Sequence, residues 1–380
     1  LYYKLIPENS VSGSNLSFNE LKLKKISNNL FISDTLKTSG PVGFGINSFD
    51  RMNNTWNKMG LSNIKTNIDG NEIFNMDLNS FSYDEWRHIN TFIDYPYYKN
   101  KKIKIQKLYI EEFNPLDMYK RSLGDGVVKI NETNVTYLYS VKLFDFNKNQ
   151  SEILVPIQWV KQNDLSNRKL DFENMFKVNK DSTYNFKFPG AKVSIEKNSF
   201  YTDKIIQIFE ENNLLHVDKD SIPLLKGITI KMDVSRYNDS IRNKTYIGRI
   251  SENKKSSFVS SKKEENYIIA KVNNLGDFMI KIDSIKPNIS VIDISDNQWI
   301  SNRKNLTLKI SDNESGINDY RGTINDKWIL LEYNPMKGFL SYDFNDNVNN
   351  DDAKNILEIE IEDNVGNVKN LTKTFFKKIK

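Results

Sequence analysis

A short alternation of apolar and polar positions recurs along the chain, and turn residues separate its repeats. Tyr184, Phe186 and Phe188 alternate with polar residues, and Val193 and Ile195 do the same soon afterwards. An alternation with a period of two is typical of strands that bury one face. Because the strands are short and the turns follow at sandwich-like spacing, the pattern predicts an all-β chain of antiparallel β-sandwiches.

Two breaks in this alternation divide the chain into consecutive units. Residues 161–171 are polar and predict a linker, and Asp283-Ser284-Ile285-Lys286-Pro287 predicts a connector because proline stops a strand. We therefore expect an Ig-like β-sandwich at 1–160, a second β-sandwich at 172–283 and a C-terminal Ig-like β-sandwich at 284–380. A chain of 380 residues is long enough for each unit to bury its own core.

One stretch of the first unit departs from the strand pattern. Asp69-Gly70 predicts a hairpin turn, because both residues readily adopt positive φ. The sequence Ser82-Tyr83-Asp84-Glu85 then has the form of a capping box and predicts a short helix. Within that helix Trp86, Ile89 and Ile93 share one face, which we expect to face the core. Pro96 is expected to end the helix.

Exposed aromatic residues around this predicted helix are the candidate binding site. Trp86, Tyr95, Tyr97 and Tyr98 lie within a short stretch, and aromatic rings beside a turn can stack on sugar rings. The same residues can instead cover the edge of the domain, because tyrosine is common at half-buried positions. The sequence leaves both interpretations open.

Composition excludes several classes of function. The 54 basic and 49 acidic side chains give a net charge of +5 and form no block of like charge, so nucleic-acid binding is not expected. The chain has no cysteine, which excludes disulfides and thiolate metal sites. No apolar run approaches the roughly 18 residues of a membrane-spanning helix. The start at Leu1, without an initiator methionine or a signal-peptide pattern, predicts a fragment or a processed product.

The sequence offers no catalytic constellation. Its two histidines, His88 and His216, fall in different predicted units, so a zinc site or a Ser-His-Asp triad built on them is not expected. We predict a structural role for His216 and a surface or hydrogen-bonded role for His88. We expect no catalytic residue, no metal ligand and no cofactor in this chain.

Acidic turns recur at the ends of strands. The first and third units both close with Asp-x-x-x-Asn before their last strand, at Asp145 to Asn149 and Asp363 to Asn367. An aspartate at this position can accept backbone N–H groups across the turn. The turn from Asp312 to Glu314 is expected to be an Asx turn, and calcium binding by its oxygens is the alternative.

The first unit resembles the region that follows the catalytic domain in large lysostaphin-type zinc metallopeptidases of Gram-negative bacteria, the M-twenty-three peptidase family. The matching residues lie between Gly40 and Tyr95, and weaker matches continue into the later sandwiches. They are Gly40, Val42-Gly43-Phe44, Asp50, Asn57-Lys58-Met59-Gly60, Asp69-Gly70, Phe81-Ser82-Tyr83-Asp84-Glu85, Arg87-His88-Ile89-Asn90 and Ile93-Asp94-Tyr95.

The resemblance implies an accessory role in the cell envelope. The family binds catalytic zinc through a His-x-x-x-Asp motif together with a His-x-His motif, and this pair of motifs does not occur here. The chain is then the non-catalytic C-terminal part of a peptidoglycan-hydrolysing metalloendopeptidase, with zinc only in a missing peptidase domain. The implied location is periplasmic or on the outer surface, and the implied partners are that upstream domain, another envelope protein or peptidoglycan. The alternative is a stand-alone adhesin or carbohydrate-binding module.

Overall fold

The computed structural model describes residues 1–6, 18–51, 56–80, 82–112, 114–119, 121–161, 173–345 and 353–378. Within these ranges the chain is all-β, as the alternation predicts, and most neighbouring strands are antiparallel. Three large hydrophobic cores lie in consecutive stretches of the chain, and a smaller cluster of Phe18, Ile105 and Tyr109 accompanies the first. Apart from residue 161, the predicted linker lies outside the described residues.

The first sandwich contains a four-stranded sheet, β11-β6-β1-β2, and a seven-stranded sheet, β10-β9-β12-β13-β4-β3 with β5 beside β13, while β7 and β8 pair with each other in a separate two-stranded sheet. Strands β4 and β5 pair with β13 in parallel, which the expectation of purely antiparallel sheets missed. The strands are β1 (Tyr2–Leu5), β2 (Asn19–Glu20), β3 (Leu23–Lys25), β4 (Leu30–Ser33), β5 (Leu36–Thr38), β6 (Val42–Ile46), β7 (Asp50–Arg51), β8 (Lys58–Met59), β9 (Asn63–Ile68), β10 (Asn71–Asp77), β11 (Gln106–Lys107), β12 (Thr136–Phe144) and β13 (Gln150–Trp159).

The predicted hairpin is present, and β6 packs closely against its neighbours. Asp69 and Gly70 connect β9 to β10 with φ of 46° and 84°, as a type I′ turn requires. A Cβ atom on Gly43 would lie 2.7 Å from Cε1 of Tyr109, and one on Gly45 would lie 2.5 Å from Cγ2 of Ile105. These two glycines therefore allow β6 to pass close to its neighbours.

The helical insert is present, but two of its predicted details are wrong. A 3₁₀ helix (Tyr83–His88) is followed by α1 (Ile89–Phe92) and α2 (Tyr95–Lys101). Trp86 is 49% exposed instead of packing in the core, because the 3₁₀ turn precedes the α-helical turn and breaks the expected 3.6-residue period. Pro96 lies in the first turn of α2 and does not end a helix. Backbone N–H groups in the first turn have no intrahelical acceptor, so a proline there costs no hydrogen bond. Ile93 is buried in the first core, as predicted.

The second sandwich packs a six-stranded sheet, β14-β17-β18-β24-β20-β21, on a five-stranded sheet, β15-β16-β19-β23-β22. Its paired strands are all antiparallel, and a short helix, α3 (Asp239–Asn243), precedes β20. The strands are β14 (Met175–Val178), β15 (Tyr184–Lys187), β16 (Ala191–Ile195), β17 (Lys204–Glu211), β18 (Leu214–Val217), β19 (Ile228–Asp233), β20 (Thr245–Ile250), β21 (Ser256–Val259), β22 (Lys262–Glu264), β23 (Tyr267–Val272) and β24 (Gly276–Ile282).

The third sandwich packs a four-stranded sheet, β25-β27-β31-β30, on a five-stranded sheet, β26-β33-β32-β28-β29. The long hairpin of β32 and β33 forms the centre of the larger sheet. The strands are β25 (Asn288–Val291), β26 (Gln298–Trp299), β27 (Asn305–Ser311), β28 (Ile317–Ile324), β29 (Lys327–Ile329), β30 (Glu332–Asn334), β31 (Phe339–Asp343), β32 (Lys354–Asp363) and β33 (Val368–Phe376).

Candidate functional site

The four aromatic residues singled out in the sequence do not form one exposed surface. Tyr95 is only 8% exposed, and it lies at the start of α2 near Asp220 and Arg249 of the second sandwich. Tyr97 packs edge-on against Tyr2 at 5.8 Å between ring centroids, and Tyr98 packs against the first core. Trp86 alone is broadly exposed, with the Arg87 guanidinium 5.1 Å from its ring. Sugar stacking by this group stays a prediction, and Tyr95 is not accessible for it.

The helical insert instead contacts the second sandwich. The Arg87 guanidinium donates a hydrogen bond from Nη1 to the Leu225 carbonyl at 2.9 Å. In return, the Tyr201 hydroxyl donates to the Arg87 carbonyl at 2.5 Å, and burial raises the pKa of Tyr201 to about 12. The first sandwich donates one of these hydrogen bonds and the second sandwich donates the other. Together they attach the 3₁₀ helix to loops of the second sandwich.

An ion-pair bridge continues this first junction. Asp220 Oδ2 accepts from Lys99 Nζ at 2.8 Å and pairs with Arg249 Nη2 at 2.7 Å. Burial alone would lower the pKa of Lys99, but its bonds to Asp220 and Tyr95 outweigh burial and raise that pKa. Asp220 thus bridges Lys99 of the first sandwich and Arg249 of the second sandwich.

The two histidines lie in different settings. His88 packs edge-on against Tyr201 at 5.3 Å between ring centroids, and burial lowers its pKa. His216 Nδ1 lies 2.6 Å from Asp277 Oδ1, and its ring stacks on Phe209. The structural role predicted for His216 is therefore confirmed. Within the described ranges, the side chains that converge as possible metal ligands include neither histidine.

Three carboxylates meet at the second junction, between the second and third sandwiches. Asp283 follows β24, Asp312 follows β27 and Asp363 ends β32, and one oxygen atom from each lies within 4.8 Å of the others. Asp283 and Asp363 are buried, at 1% and 0% exposure. Burial, followed by the charges of Asp283 and Asp363, raises the pKa of Asp312.

The two turns at this junction have the predicted Asx chemistry. Asp312 Oδ1 accepts the backbone N–H groups of Glu314 and Gly316 at 3.0 and 2.8 Å. Asp363 Oδ1 accepts those of Val365 and Asn367 at 3.0 and 2.8 Å. Asp312 therefore folds its turn with one oxygen, whereas Asp363 uses both, because its Oδ2 also accepts from the Asn367 amide at 2.6 Å.

The connector between the sandwiches is bonded into these turns. Asp283 Oδ2 accepts from the Ser315 hydroxyl at 2.7 Å and from its backbone N–H at 3.1 Å. The Asn367 amide donates to the Asp283 carbonyl at 3.0 Å, and Lys244 Nζ donates to the Gly366 carbonyl at 3.0 Å. The Tyr246 hydroxyl bonds to Glu314 Oε2 at 3.1 Å, so both sides of the junction contribute partners.

Among the described residues, the three-aspartate cluster is the group that could hold a metal ion. Its hard carboxylate oxygens suit calcium better than zinc, which prefers histidine and thiolate ligands. The sequence reasoning considered Asp312 alone and missed Asp283 and Asp363 as its neighbours. A usable signal was present, because each aspartate directly follows or ends an apolar strand at a sandwich end.

Comparison with known proteins gives one family match. Residues 173–283 match the Zu5-like domain. This range contains all strands of the second sandwich, and it ends on Asp283 of the junction. No curated protein matches the chain. None of the comparisons names a lysostaphin-type peptidase.

The chain also aligns with solved structures at very low identity and low TM-scores. Fibronectin(III)-like modules of Clostridium thermocellum CbhA align over 95% of this chain and 95% of theirs, at 5% identity and a TM-score of 0.20. An endo-β-1,4-mannanase from Thermotoga petrophila aligns over 26% of this chain, at 14% identity and a TM-score of 0.23, and the match spans 21% of the mannanase. A Bacteroides ovatus mixed-linkage glucan utilization protein, SGBP-B, aligns over 84% of this chain and 61% of its own, at 12% identity and a TM-score of 0.15.

No helix in the described part of the chain is long and apolar enough to cross a bilayer.

Proposed function

We propose that this chain is a non-catalytic spacer that holds three β-sandwiches in a fixed order and orientation. The observation that carries the proposal is the bonding at both junctions. Arg87 and Tyr201 exchange hydrogen bonds with the neighbouring unit at the first junction, and Asp283 binds Ser315 at the second. Domains joined without such contacts move relative to one another by default.

The buried position of the second junction strengthens this proposal. The Ser315 side chain is fully buried, and Asn367 is 7% exposed where it donates to the connector carbonyls. A hydrogen bond in such a place is costly to break, because each buried group loses its partner without gaining water. Hydrogen bonds between exposed groups of a flexible linker would cost less to break, because water would replace the lost partner.

The separation of the histidines supports a non-catalytic role. His88 packs on Tyr201 at the first junction, whereas His216 is held by Asp277 within the second sandwich. A zinc peptidase site needs ligands that converge on one ion. The chain has no His-x-His motif, and its one His-x-x-x-Asp match, His216 to Asp220, pairs His216 with Asp277 and Asp220 with Lys99 and Arg249.

The finer form of the proposal is an accessory region of a cell-envelope peptidoglycan hydrolase. The resemblance between Gly40 and Tyr95 supports it, and it implies an upstream zinc peptidase domain as the partner. Sequencing the coding region upstream of Leu1 tests this directly. An in-frame domain with His-x-x-x-Asp and His-x-His motifs is expected. A start codon and signal peptide immediately before Leu1 would show that no such domain precedes the spacer.

The second candidate function is a stand-alone adhesin or carbohydrate-binding module that uses the helical insert. Its support is the exposure of Trp86, with Tyr97 and Tyr98 partly exposed nearby. Retention on purified peptidoglycan tests it, with the Tyr97→Ala plus Tyr98→Ala variant compared against the unmodified chain. Unchanged retention would remove these two tyrosines from any glycan site.

The spacer role itself is tested at the first junction. Replacing Asp220 with alanine removes the bridge between Lys99 and Arg249. Small-angle scattering should then show a broader range of inter-domain distances, with each sandwich still folded by circular dichroism. Lys65→Ala is the matched control, because it breaks an ion pair to Glu72 within one sandwich. An equal scattering profile for both variants would argue against a fixed junction.

A further inference from the structure

The solvent face of the larger sheet in the third sandwich carries an unusual set of side chains. Along β32 the buried residues Leu357, Ile359 and Ile361 point inward, and Ile356, Glu358 and Glu360 alternate with them toward solvent. The neighbouring strands follow the same alternation through their register. This defines a broad solvent face on the sheet β26-β33-β32-β28-β29.

A tryptophan stands at each edge of this face. Trp299 on β26 pairs with Phe376, whose neighbour Phe375 is buried, so both rings point outward. Trp328 on β29 pairs with Thr323, and Thr323 pairs with the outward Glu358. Four strand spacings and a register offset of four residues along β32 separate the two indoles by roughly 20 Å or slightly more. We call this surface, from Trp299 to Trp328, the tryptophan face.

Both indole rings are exposed, and stacking orients the ring of Trp299. Trp299 is 62% exposed and Trp328 is 60% exposed. Trp299 stacks on Phe376 at 5.3 Å between centroids with an interplanar angle of 27°. Such stacking fixes one face of the indole and leaves the other open to a ligand.

Polar groups occupy the centre of the tryptophan face. Thr372 and Thr374 lie on β33, and Glu358 faces Thr372 across the strand pair. The Thr323 hydroxyl donates to Glu358 Oε2 at 3.4 Å. The order from one edge to the other is therefore aromatic, hydroxyl, carboxylate, hydroxyl and aromatic.

This order distinguishes between possible partners. A protein interface has an apolar centre depleted of charge and a polar rim. The tryptophan face has aromatic rings at its rim, and at its centre Glu358 and threonine hydroxyls surround one apolar side chain, Ile356, which is 40% exposed. A sugar chain fits it, because the apolar face of a sugar ring stacks on an indole while its hydroxyls bond to carboxylate and hydroxyl groups.

We propose that the tryptophan face binds an extended polysaccharide chain that contacts Trp299 and Trp328 at the same time. The spacing of the rings requires a chain of several sugar units, since a mono- or disaccharide reaches only one of them. The central carboxylate orients the chain through its hydroxyl or acetamido groups. This binding does not depend on the spacer role, because all its residues lie in the third sandwich.

Titration calorimetry with the whole chain tests the proposal. The probes are N-acetylglucosamine oligomers and β-1,4-glucose oligomers of two to eight units, and retention on purified peptidoglycan tests the polymer. Affinity should rise steeply once the oligomer is long enough to reach both rings. Trp299→Ala and Trp328→Ala should each lower the affinity for the longest bound oligomer by about fivefold or more.

Control variants identify the site. Trp56→Ala and Phe146→Ala remove exposed aromatic side chains of the first sandwich and should leave affinity unchanged. The proposal is overturned if no probe binds, if the control variants lower affinity as much as the two edge variants, or if affinity is independent of oligomer length. It is also overturned if sedimentation shows that Trp299→Ala abolishes self-association, since the face would then bind a second copy.

Discussion

Two turns of this chain share a sequence pattern but differ in their surroundings. In both, an aspartate accepts the backbone N–H of an asparagine four residues later at 2.8 Å, and the asparagine side chain donates back to the same carboxylate. The turn from Asp145 to Asn149 lies in solvent at the edge of the first sandwich. The turn from Asp363 to Asn367 is buried under the connector, beside Asp283 and Asp312.

This difference shows that local chemistry folds the turn, whereas tertiary position decides its role. The exposed Asp145 turn only reverses the chain between β12 and β13. The buried Asp363 turn also supplies Asn367, whose amide holds the carbonyl groups of Asp283 and Ile285. The same motif thus closes a hairpin in both sandwiches, but only in the third sandwich does it also form part of a domain junction.

The largest expected difference follows from removing each aspartate. Asp363→Ala leaves the N–H groups of Val365 and Asn367 and the Asn367 amide without their acceptor in a buried place. We expect a loss of about 3 kcal/mol or more from the stability of the third sandwich, with relief of carboxylate repulsion offsetting part of it. Asp145→Ala should cost less than about 1 kcal/mol, because water replaces the lost acceptor. Calorimetric unfolding of both variants measures this, and equal losses would contradict the account.

The second largest difference in stability is expected between alanine variants of the two asparagines. Asn367→Ala removes the amide that bonds to the connector, and we expect about 2 kcal/mol of destabilisation together with a looser second junction. Asn149→Ala should cost a few tenths of a kcal/mol, since Asn149 is exposed. Hydrogen exchange of the backbone near Asp283 reports the loosening. Unchanged protection there in Asn367→Ala would show that the amide does not hold the connector.

Calcium binding should produce a smaller difference in stability between the junction around Asp363 and the exposed Asp145 turn. The three-aspartate cluster places like charges close together, and a bound cation would relieve that repulsion. With a dissociation constant of about 1 mM, 10 mM calcium would stabilise the third sandwich by about 1.4 kcal/mol. Thermal unfolding with and without calcium measures the shift. Asp312→Asn should abolish it and Asp145→Asn should not, so an equal response of these two variants would exclude a cation at the junction.

The pH dependence should be the smallest of these effects. The pKa of Asp312 is raised in the folded state above its ordinary value of 3.8, so the folded chain binds that proton more tightly than the unfolded chain. The contribution of Asp312 to stability is therefore greatest at low pH and falls as pH rises from about 3.8 through the folded-state pKa. Subtracting the unfolding profile of Asp312→Asn from that of the unmodified chain isolates this slope. If the stability of the unmodified chain relative to Asp312→Asn instead increased with pH, folding would not raise the pKa of Asp312.

Period-two alternation predicted the all-β fold well because each sandwich strand buries one face. The hairpin at Asp69-Gly70 and the Asx turns were predictable because their chemistry is local. Trp86 was placed wrongly, since a 3₁₀ turn and an α turn differ in period and the sequence does not show where one becomes the other. The meeting of Asp283, Asp312 and Asp363 was not predictable from one turn, because it depends on how two domains dock.

The central claim is that both junctions hold the three sandwiches in one arrangement, and spin-label distances test it most directly. The chain has no cysteine, so pairs of labels can be placed at Lys37, Lys187 and Lys309, one exposed strand position in each sandwich. Each pair should give a single narrow distance distribution, and Asp363→Ala should broaden only the pairs that include the third sandwich. Broad distributions for the unmodified chain would contradict a fixed spacer.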